Sequence, residues 1–240
     1  MNLIEENIQN LVNLWRLAGQ IAGDHIVTAH YEMSAVTLSD WPNRIWFEGD
    51  VSVAVLEELA CRFRLPNFTL PVWGPTLESN ELVLQLQGYE LKFEQYAMSI
   101  PLNNIEIPHK RLKLIKVIDQ SMAYLWSTLF TKAFGYLIHP ETVVKTMEVV
   151  DYYVAMYGAQ PVGTGVIFFS QKHIAGIHSM GIVPEMRRKG FARNVLLQLL
   201  AISKQKGAHY AFLQASDSGK PLYQQVGFKE DFIIKNYIKS

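Results

Sequence analysis

The sequence contains a single cysteine, Cys61, among its 240 residues, which excludes an intrachain disulfide and gives no sign of an oxidising compartment. Charge of neither sign is in excess, because 22 lysines and arginines balance 22 aspartates and glutamates. No overall field therefore favours nucleic acid or an anionic membrane. No uncharged apolar run approaches the roughly 20 residues of a membrane span, and the acidic start, Glu5 and Glu6, lacks the basic region of a signal peptide. We expect a cytoplasmic protein without nucleic-acid or membrane partners.

The composition is that of a globular protein with ample material for a core, since 49% of the residues are hydrophobic and 18% are charged. A chain of 240 residues can form one large domain or two modest ones. Cys61 stands in the apolar helical run of residues 53–61. That position predicts a buried, unreactive thiol rather than a nucleophile.

Periodicity predicts an alternation of helices and strands along the chain. Four predicted helices cover residues 3–18, 53–63, 78–87 and 119–132, and a fifth starts at residues 139–142. A sixth runs from the end of a cationic turn near residue 190 to residue 206, and a seventh covers residues 218–226. The predicted strands cover residues 45–47, 68–73, one or two within 89–102, and then 112–117, 151–157, 161–170, 173–183, 208–214 and part of 228–238. Pro71 favours a sheet edge for its strand.

The most informative stretch is the cationic turn in the last quarter of the chain. A β-type apolar run ends at Pro184, the cations Arg187, Arg188 and Lys189 and then Gly190 follow, and a helical apolar pattern begins. The start of a helix gathers unpaired N–H groups and partial positive charge, which makes it an anion site. A solvated basic helix start is the alternative, but basic first turns are otherwise unfavourable. The turn therefore predicts binding of a multiply charged anion such as a pyrophosphate.

Two motifs in this region carry a resemblance to a known family. The pattern Arg-x-x-Gly-x-Ala, after a strand ending in Val-Pro-Glu, resembles the acyl-CoA loop of the GNAT superfamily of N-acetyltransferases. About thirty residues later, Leu213-Gln214-Ala215-Ser216 and the segment 219–228 are similar to the closing motif of that family. The resemblance covers roughly the last 130 residues and is faint over the first 105.

The resemblance implies an α+β (mixed α/β) fold, with a GNAT acyl-CoA N-acyltransferase fold in the C-terminal half and a sheet that splays beside the acyl-CoA strand. It implies acetyl-CoA as cosubstrate, with the pantetheine arm along the backbone of Met180, Gly181 and Ile182. Ser216 stands where the family often has an asparagine on the pantetheine arm, so that contact is uncertain. The residues implied to hold the pyrophosphate are Arg187, Arg188, Lys189, Gly190, Phe191, Ala192 and Arg193.

Two side chains are candidates for the chemistry of acetyl transfer. Tyr223 occupies the motif position of a residue that protonates the departing thiolate, and a phenol with a pKa near 10 suits that role. His178, on the strand before the loop, is the candidate base for the incoming amine, because its ordinary pKa is near neutral. The period-2 rule puts His178 on the same face as Met180 and Ile182, so a buried structural histidine is an equal alternative.

The chain divides into residues 1–107 and residues 112–240 in this interpretation. At an offset of 139 residues, which sets Tyr89 on Phe228, two strand-helix successions align. Leu84 then stands where Tyr223 does, and an acidic segment replaces the cationic loop. The front half is predicted to be a shortened GNAT-like half without cofactor binding, with an unrelated cap as the alternative.

The leading functional hypothesis is transfer of an acetyl group from acetyl-CoA to a primary amine of a small molecule, by direct attack without an acyl-enzyme. The alternatives are a non-catalytic acyl-CoA sensor module and a protein or peptide N-acetyltransferase. His173 and His209 lack other ligands at suitable spacing, so no metal site is predicted. The group Trp41, Trp46 and Trp73 is expected to pack in the core rather than line an acceptor cleft. The resemblance leaves a homodimer open.

Overall fold

The computed structural model of the protein describes residues 2–63, 68–105, 112–171 and 173–239. The predicted junction between the halves, at residues 105–111, lies almost entirely outside these ranges, so the boundaries at 107 and 112 stay predictions. Within the described ranges, every helix is too short or too polar to cross a lipid bilayer.

Helices and strands alternate through the described residues, as the periodicity predicted. The α-helices are α1 (Leu3–Ala22), α2 (Val53–Arg62), α3 (Leu77–Leu86), α4 (Gln120–Phe134), α5 (Pro140–Thr146), α6 (Phe191–Gln205) and α7 (Lys220–Val226). The strands are β1 (Asp24–Val27), β2 (Tyr31–Ala35), β3 (Arg44–Phe47), β4 (Leu70–Val72), β5 (Tyr89–Pro101), β6 (Lys113–Lys116), β7 (Asp151–Tyr157), β8 (Gln160–Gln171), β9 (Ile174–Ile182), β10 (Tyr210–Ala215) and β11 (Lys229–Lys239).

Most strands belong to one mixed sheet of eight strands, in the order β4-β11-β5-β10-β9-β8-β7-β6. β9 and β10 run parallel, and the other paired neighbours of this sheet are antiparallel. β1, β2 and β3 form a separate three-stranded antiparallel sheet. A Cβ on Gly181 would meet α4, whereas one on Gly165 would meet Leu199 of α6. α4 and α6 therefore cover opposite faces of the large sheet.

The two halves of the chain exchange strands within the large sheet. β5, from the front half, lies between β10 and β11 of the back half, and β11 lies between β5 and β4 of the front half. The exchange extends into the cores. Tyr237 of β11 is buried in the front core with Leu59 and Leu84, and Met98 of β5 is buried in the back core with Trp126. Neither half completes its core without a strand from the other.

An aromatic cluster fills the space between α1 and the front sheet. The ring of Trp15 lies 5.5 Å from that of Trp46 and 6.4 Å from that of Trp73. Trp41 packs against the same group. The predicted packing role of the front-half tryptophans is therefore confirmed, although their partner Trp15 comes from the first helix.

Helix starts in the back half follow the predicted capping residues. The Asp119 carboxylate accepts the N–H of Met122 at 2.8 Å, which satisfies one of the unpaired donors of α4. Pro140 is the first residue of α5, where its missing N–H costs nothing. β4 containing Pro71 lies at the edge of the large sheet, as predicted.

Periodicity missed β1 and β2. Four consecutive residues of β2, Tyr31 to Ser34, are buried, so the strand shows no alternation of polar and apolar residues. Glu32 tolerates burial because the Arg16 guanidinium donates two hydrogen bonds to its carboxylate. A buried ion pair with a residue of another element cannot be detected from local spacing.

The expectation of a buried thiol at Cys61 is wrong. Cys61 is exposed on α2, because this helix turns Val55, Leu56 and Leu59 towards the core and leaves its opposite face in solvent. The apolar run is longer than the stripe that the helix buries.

The strand exchange predicts that both halves unfold in one transition. Leu84→Ala in the front core and Leu199→Ala in the back core each remove a fully buried side chain, so each should lower the free energy of unfolding by about 2–5 kcal/mol. Urea unfolding followed by tryptophan fluorescence and circular dichroism should show one coincident transition in both variants. Two transitions, each shifted by only one substitution, would contradict the shared core.

Candidate active site

The large sheet contains a fork where β9 diverges from β10. The two strands pair only at Tyr210–Ile174, Ala211–Ala175 and Phe212–Gly176. Beyond Gly176, the described residues of the two strands no longer face each other in the sheet. The side of β9 that faces away from β8 therefore has no strand partner there among the described residues, although the Ile182 carbonyl accepts from Arg187. A pantetheine contact along Met180, Gly181 and Ile182 stays a prediction. The predicted splay of the sheet is confirmed.

β9 contains a bulge beside the fork. Thr164 of β8 pairs with Gly181, but Val166 pairs with His178, so three steps along β9 match two along β8. Ser179 takes the strain with φ of 49°, and the Thr164 hydroxyl donates to its carbonyl oxygen at 2.8 Å. The expectation that His178 shares a face with Met180 and Ile182 is wrong, because the extra residue reverses the alternation. His178 instead shares the face of Gly181.

The turn after β9 has the backbone of an anion site. Arg188 has φ of 61° and Gly190 has φ of 76°, and α6 begins at Phe191 without a side-chain cap among the described residues. A Cβ on Gly190 would meet no atom within 4 Å. The glycine is therefore needed for its left-handed conformation and not for packing space. The N–H groups of the first turn of α6 are directed out of the helix, beside the open end of the fork.

The cationic side chains of the turn have different contacts in the structure. The Arg187 guanidinium donates to the carbonyl oxygens of Ile182 at 3.0 Å and Ala133 at 2.8 Å. Arg187 therefore joins the turn to the end of α4, where a cation is favoured by the helix dipole. The Lys189 ammonium lies 3.4 Å from the sulfur of Met186. Arg188 and Arg193 are exposed, and Ala192 is half-buried at the start of α6.

Tyr223 lies on α7, at the other side of the fork. Burial raises the pKa of its hydroxyl to about 12. Its ring lies 5.9 Å from that of Phe228 and against Gly219, where a Cβ would come within 3.3 Å. Its hydroxyl has no hydrogen-bond partner among the described residues. It therefore remains protonated at neutral pH and is able to donate.

Ser216 follows the last residue of β10 and is exposed. Its hydroxyl accepts the N–H of Gly219 at 3.2 Å and lies 3.3 Å from the Ser218 hydroxyl. The side chain thus stabilises the turn before α7. A contact of this hydroxyl with pantetheine stays a prediction.

His178 lies under α1. Burial lowers the pKa of its imidazole to about 4, so the ring is neutral at physiological pH. The expectation of an ordinary, near-neutral pKa for His178 is therefore wrong, and its role as a base stays a prediction. Nε2 of the ring lies 3.1 Å from Oδ1 of Asn10.

Asn7 and Asn10 of α1 were missed by the sequence analysis, although both reach the fork. Gln214 of β10 donates to Oδ1 of Asn7 at 2.7 Å. The available signal was their spacing, since two asparagines three residues apart lie within the apolar stripe of α1 and are fully buried. A buried asparagine in an apolar stripe requires polar partners.

Among the described residues, no three side chains of histidine, cysteine, aspartate or glutamate lie close enough together to hold a metal ion. The rings of His173 and His209 stack at 5.0 Å.

Comparison with known proteins identifies similar chains over the site and over the whole fold. A model of the acetyltransferase (GNAT) family matches residues 121–228. An uncharacterised N-acetyltransferase of Chlorobaculum tepidum is 31% identical over 87 residues, which are 36% of this chain and 54% of the relative. The chain thus matches only about half the length of this curated relative.

Solved structures show the same fold over most of the chain. A GCN5-related N-acetyltransferase from Kribbella flavida superposes with a TM-score of 0.69 at 14% identity and covers 97% of this chain and 95% of its own. A GCN5-related N-acetyltransferase-like protein from Streptococcus suis has a TM-score of 0.61 at 14% identity, with 96% and 98% covered. The fold likeness therefore includes the front half.

The buried imidazole predicts a loss of stability in mild acid. The unfolded ring takes up a proton below its ordinary pKa, whereas the folded ring does so only below about 4. The free energy of unfolding should therefore fall as the pH drops from about 6.5 to about 4, by roughly 1 kcal/mol per pH unit from this residue.

His178→Gln should remove that part of the pH dependence, and the exposed His30→Gln should not. Urea unfolding at a series of pH values measures the slope. Equal slopes for His178→Gln and the wild type would show that the folded imidazole titrates normally.

Proposed function

We propose that the protein transfers an acetyl group from acetyl-CoA to a primary amine of a small molecule, since residues 121–228 match a model of the acetyltransferase (GNAT) family. The observation that carries the proposal is the continuity between the fork and the turn. The open edge of β9 leads directly to the start of α6, where Gly190 adopts φ of 76°. An extended thioester arm and its pyrophosphate fit that succession of a strand edge and an anion site.

The diphosphate is bound by the turn in this proposal. The N–H groups at residues 190–193 supply the main-chain donors, and the exposed Arg188, Lys189 and Arg193 supply charge. Arg187 acts differently, because its guanidinium already occupies the carbonyls of Ile182 and Ala133. It fixes the turn against α4, so that the anion meets a preformed site.

Tyr223 protonates the leaving sulfur. The amine nitrogen bonds to the thioester carbonyl carbon, the carbon–sulfur bond breaks, and the phenol gives its proton to the thiolate. The raised pKa of Tyr223, about 12, keeps the hydroxyl protonated until a stronger base than solvent forms beside it. The attack is direct, and no acyl-enzyme is required.

His178 accepts the proton that the attacking nitrogen loses. With a pKa of about 4 it cannot ionise an alkylammonium, so the acceptor enters as the neutral amine. Once the nitrogen has bonded to the carbonyl carbon it becomes acidic, and a neutral imidazole nearby can receive its proton. The imidazolium of His178 then releases its proton to solvent and the phenolate of Tyr223 regains one from solvent, which together restore the resting enzyme.

We interpret residues 1–107 as a shortened GNAT-like half and residues 112–240 as the catalytic half. The order of elements supports this, because α2, β4, α3 and β5 fall on α6, β10, α7 and β11 at the offset of 139 residues from Tyr89 to Phe228. β3 meets β4 in a parallel bridge at Arg44–Thr69, as β9 meets β10.

In the front half, side chains bond to the main-chain groups at the position that corresponds to the proposed anion site. The Asn80 amide accepts the N–H of Val51 at 2.7 Å and donates to the carbonyl of Gly49 at 3.0 Å. Ser52 caps α2 through the N–H of Val55. Side chains of the front half thus bond to main-chain groups before and at the start of α2, whereas no described side chain caps α6 at Gly190. This supports the loss of cofactor binding in the front half.

The sequence also underlies the proposed setting of the reaction. Balanced charge and a lone cysteine favour a cytoplasmic enzyme whose partners are acetyl-CoA and an amine, without nucleic acid or membrane. Fractionation of cells that express the tagged chain tests this setting.

Gly190→Ala should weaken binding of acetyl-CoA by about tenfold, because alanine strains the left-handed conformation by roughly 1–2 kcal/mol and moves the N–H donors. Gly207→Ala is the matched control. Gly207 lies at the other end of α6, also has positive φ, and also has open space for a Cβ. The Gly207→Ala variant should lose a similar free energy of unfolding, and calorimetry should show an unchanged affinity for acetyl-CoA. Equal affinities in both variants would remove the turn from the binding site.

Tyr223→Phe should lower kcat about 100-fold with little change in the affinity for acetyl-CoA, because only the proton donor is lost. Tyr124→Phe removes a hydroxyl from an exposed position on α4 and serves as control. The rates of both variants are measured by the release of free thiol from acetyl-CoA in the presence of a panel of primary amines. A rate equal to that of the wild type would exclude Tyr223 as the acid.

The same amine panel separates the proposed function from its alternatives. Turnover on small primary amines is the expected result. Tight acetyl-CoA binding without turnover on any amine would identify a sensor module, and turnover only on peptides would identify a protein acetyltransferase.

A further inference from the structure

α1 connects the two diverging strands of the fork through a pair of asparagines. Asn7 and Asn10 are one helical turn apart on one face of α1, and both are fully buried. Asn7 receives a hydrogen bond from Gln214 of β10 at 2.7 Å, and Asn10 lies 3.1 Å from Nε2 of His178 of β9. His178 and Gln214 each lie two residues beyond Gly176–Phe212, the last pair before the strands diverge.

The contacts of Asn10 fix the tautomer of His178. Nδ2 of Asn10 donates to the carbonyl oxygen of Phe168 at 3.2 Å and to the Ser170 hydroxyl at 2.9 Å. A carbonyl can only accept, so the amide cannot be turned around without losing that bond. Oδ1 therefore faces His178, and an oxygen acceptor requires a hydrogen on Nε2. Nδ1 keeps its lone pair and has no hydrogen-bond partner among the described residues.

The contacts of Asn7 likewise fix the orientation of the side-chain amide of Gln214. Nδ2 of Asn7 donates to the carbonyl oxygen of Met98 and to the carboxylate of Asp231, both at 3.2 Å. β11 is irregular at Asp231, between the pairs Glu230–Met98 and Phe232–Ala97. Oδ1 of Asn7 thus faces Nε2 of Gln214. The Gln214 Oε1 atom remains an acceptor without a partner in the described part of the chain.

We propose that Asn7 and Asn10 are positioning residues of the active site, which turn Oε1 of Gln214 and Nδ1 of His178 towards the attacking amine. The inference rests on the proposed acetyl transfer and adds the front half to the catalytic machinery. Two acceptors match the two N–H hydrogens of a neutral primary amine and leave its lone pair for the thioester carbonyl. A secondary amine satisfies only one of them, so the site is expected to favour primary amines.

The tautomer can be measured directly in the wild-type protein. Nitrogen-15 NMR of protein labelled at histidine, with His178→Gln to identify the signal, should show the hydrogen on Nε2 at neutral pH. A hydrogen on Nδ1 would overturn the proposal, whatever the activity of the protein.

The transfer reaction gives a second test. Asn10→Leu should lower kcat with primary amines by about tenfold, the equivalent of one lost hydrogen bond, while the KM for acetyl-CoA stays unchanged. It should also abolish the preference of His178 for the Nε2–H tautomer. Asn10→Asp retains the oxygen opposite Nε2 and should keep that tautomer.

Asn80→Leu is the matched control, because Asn80 of α3 is also a buried helical asparagine with three hydrogen bonds, but it bonds to the loop before α2 and not to the fork. It should lose comparable stability and keep kcat. Equal kcat values for Asn10→Leu and Asn80→Leu would overturn the positioning role. If the wild type acetylates no amine, the proposed function fails, and the NMR result still decides the orientation at the fork.

Discussion

The structure depends on the interruption of main-chain pairing between β9 and β10. After Gly176 and Phe212 the two strands stop exchanging hydrogen bonds, although both continue as strands for several residues. Unpaired main-chain groups inside a protein are costly unless something else bonds to them. α1 joins the side chains of the two arms of the fork through Asn7 and Asn10. The main-chain edge between the arms has no strand partner among the described residues.

The helix starts at α2 and α6 differ in how their main-chain groups are capped. Each half places a glycine with positive φ shortly before a helix, Gly49 before α2 and Gly190 before α6. In the front half, Ser52 and Asn80 satisfy the main-chain donors. In the back half no described side chain caps the helix at Gly190. A few polar side chains therefore decide whether a helix start is capped by its own chain or left without a side-chain cap.

Residues that are close together in the sequence were sufficient to predict the elements that depend on short-range signals. The helix starts at Asp119 and Pro140, the edge position of Pro71 and the turn at Gly190 follow from capping, missing donors and backbone freedom. The sequence motifs also located the fork, because the resemblance covered both of its arms. Tyr223 and the turn residues keep their predicted places beside it.

The remaining features depend on contacts between distant residues. The bulge at Ser179 reversed the face predicted for His178, because one added residue is invisible in a period-2 pattern. Burial beneath α1 then changed the pKa of that histidine. The guanidinium of Arg187 bonds to a carbonyl at the end of α4, a contact that the motif did not predict, and its part in phosphate binding stays a prediction. Each of these outcomes required knowledge of which element packs against which.

The exchanged strands also set the order in which the protein can form during synthesis. β5 is made early, yet both of its neighbours in the sheet, β10 and β11, are made last. A front half that leaves the ribosome first cannot complete its core, because Tyr237 has still to be translated. Folding of the whole chain must therefore wait for its final strand, and a ribosome that stalls before β11 leaves both halves exposed to chaperones and proteases.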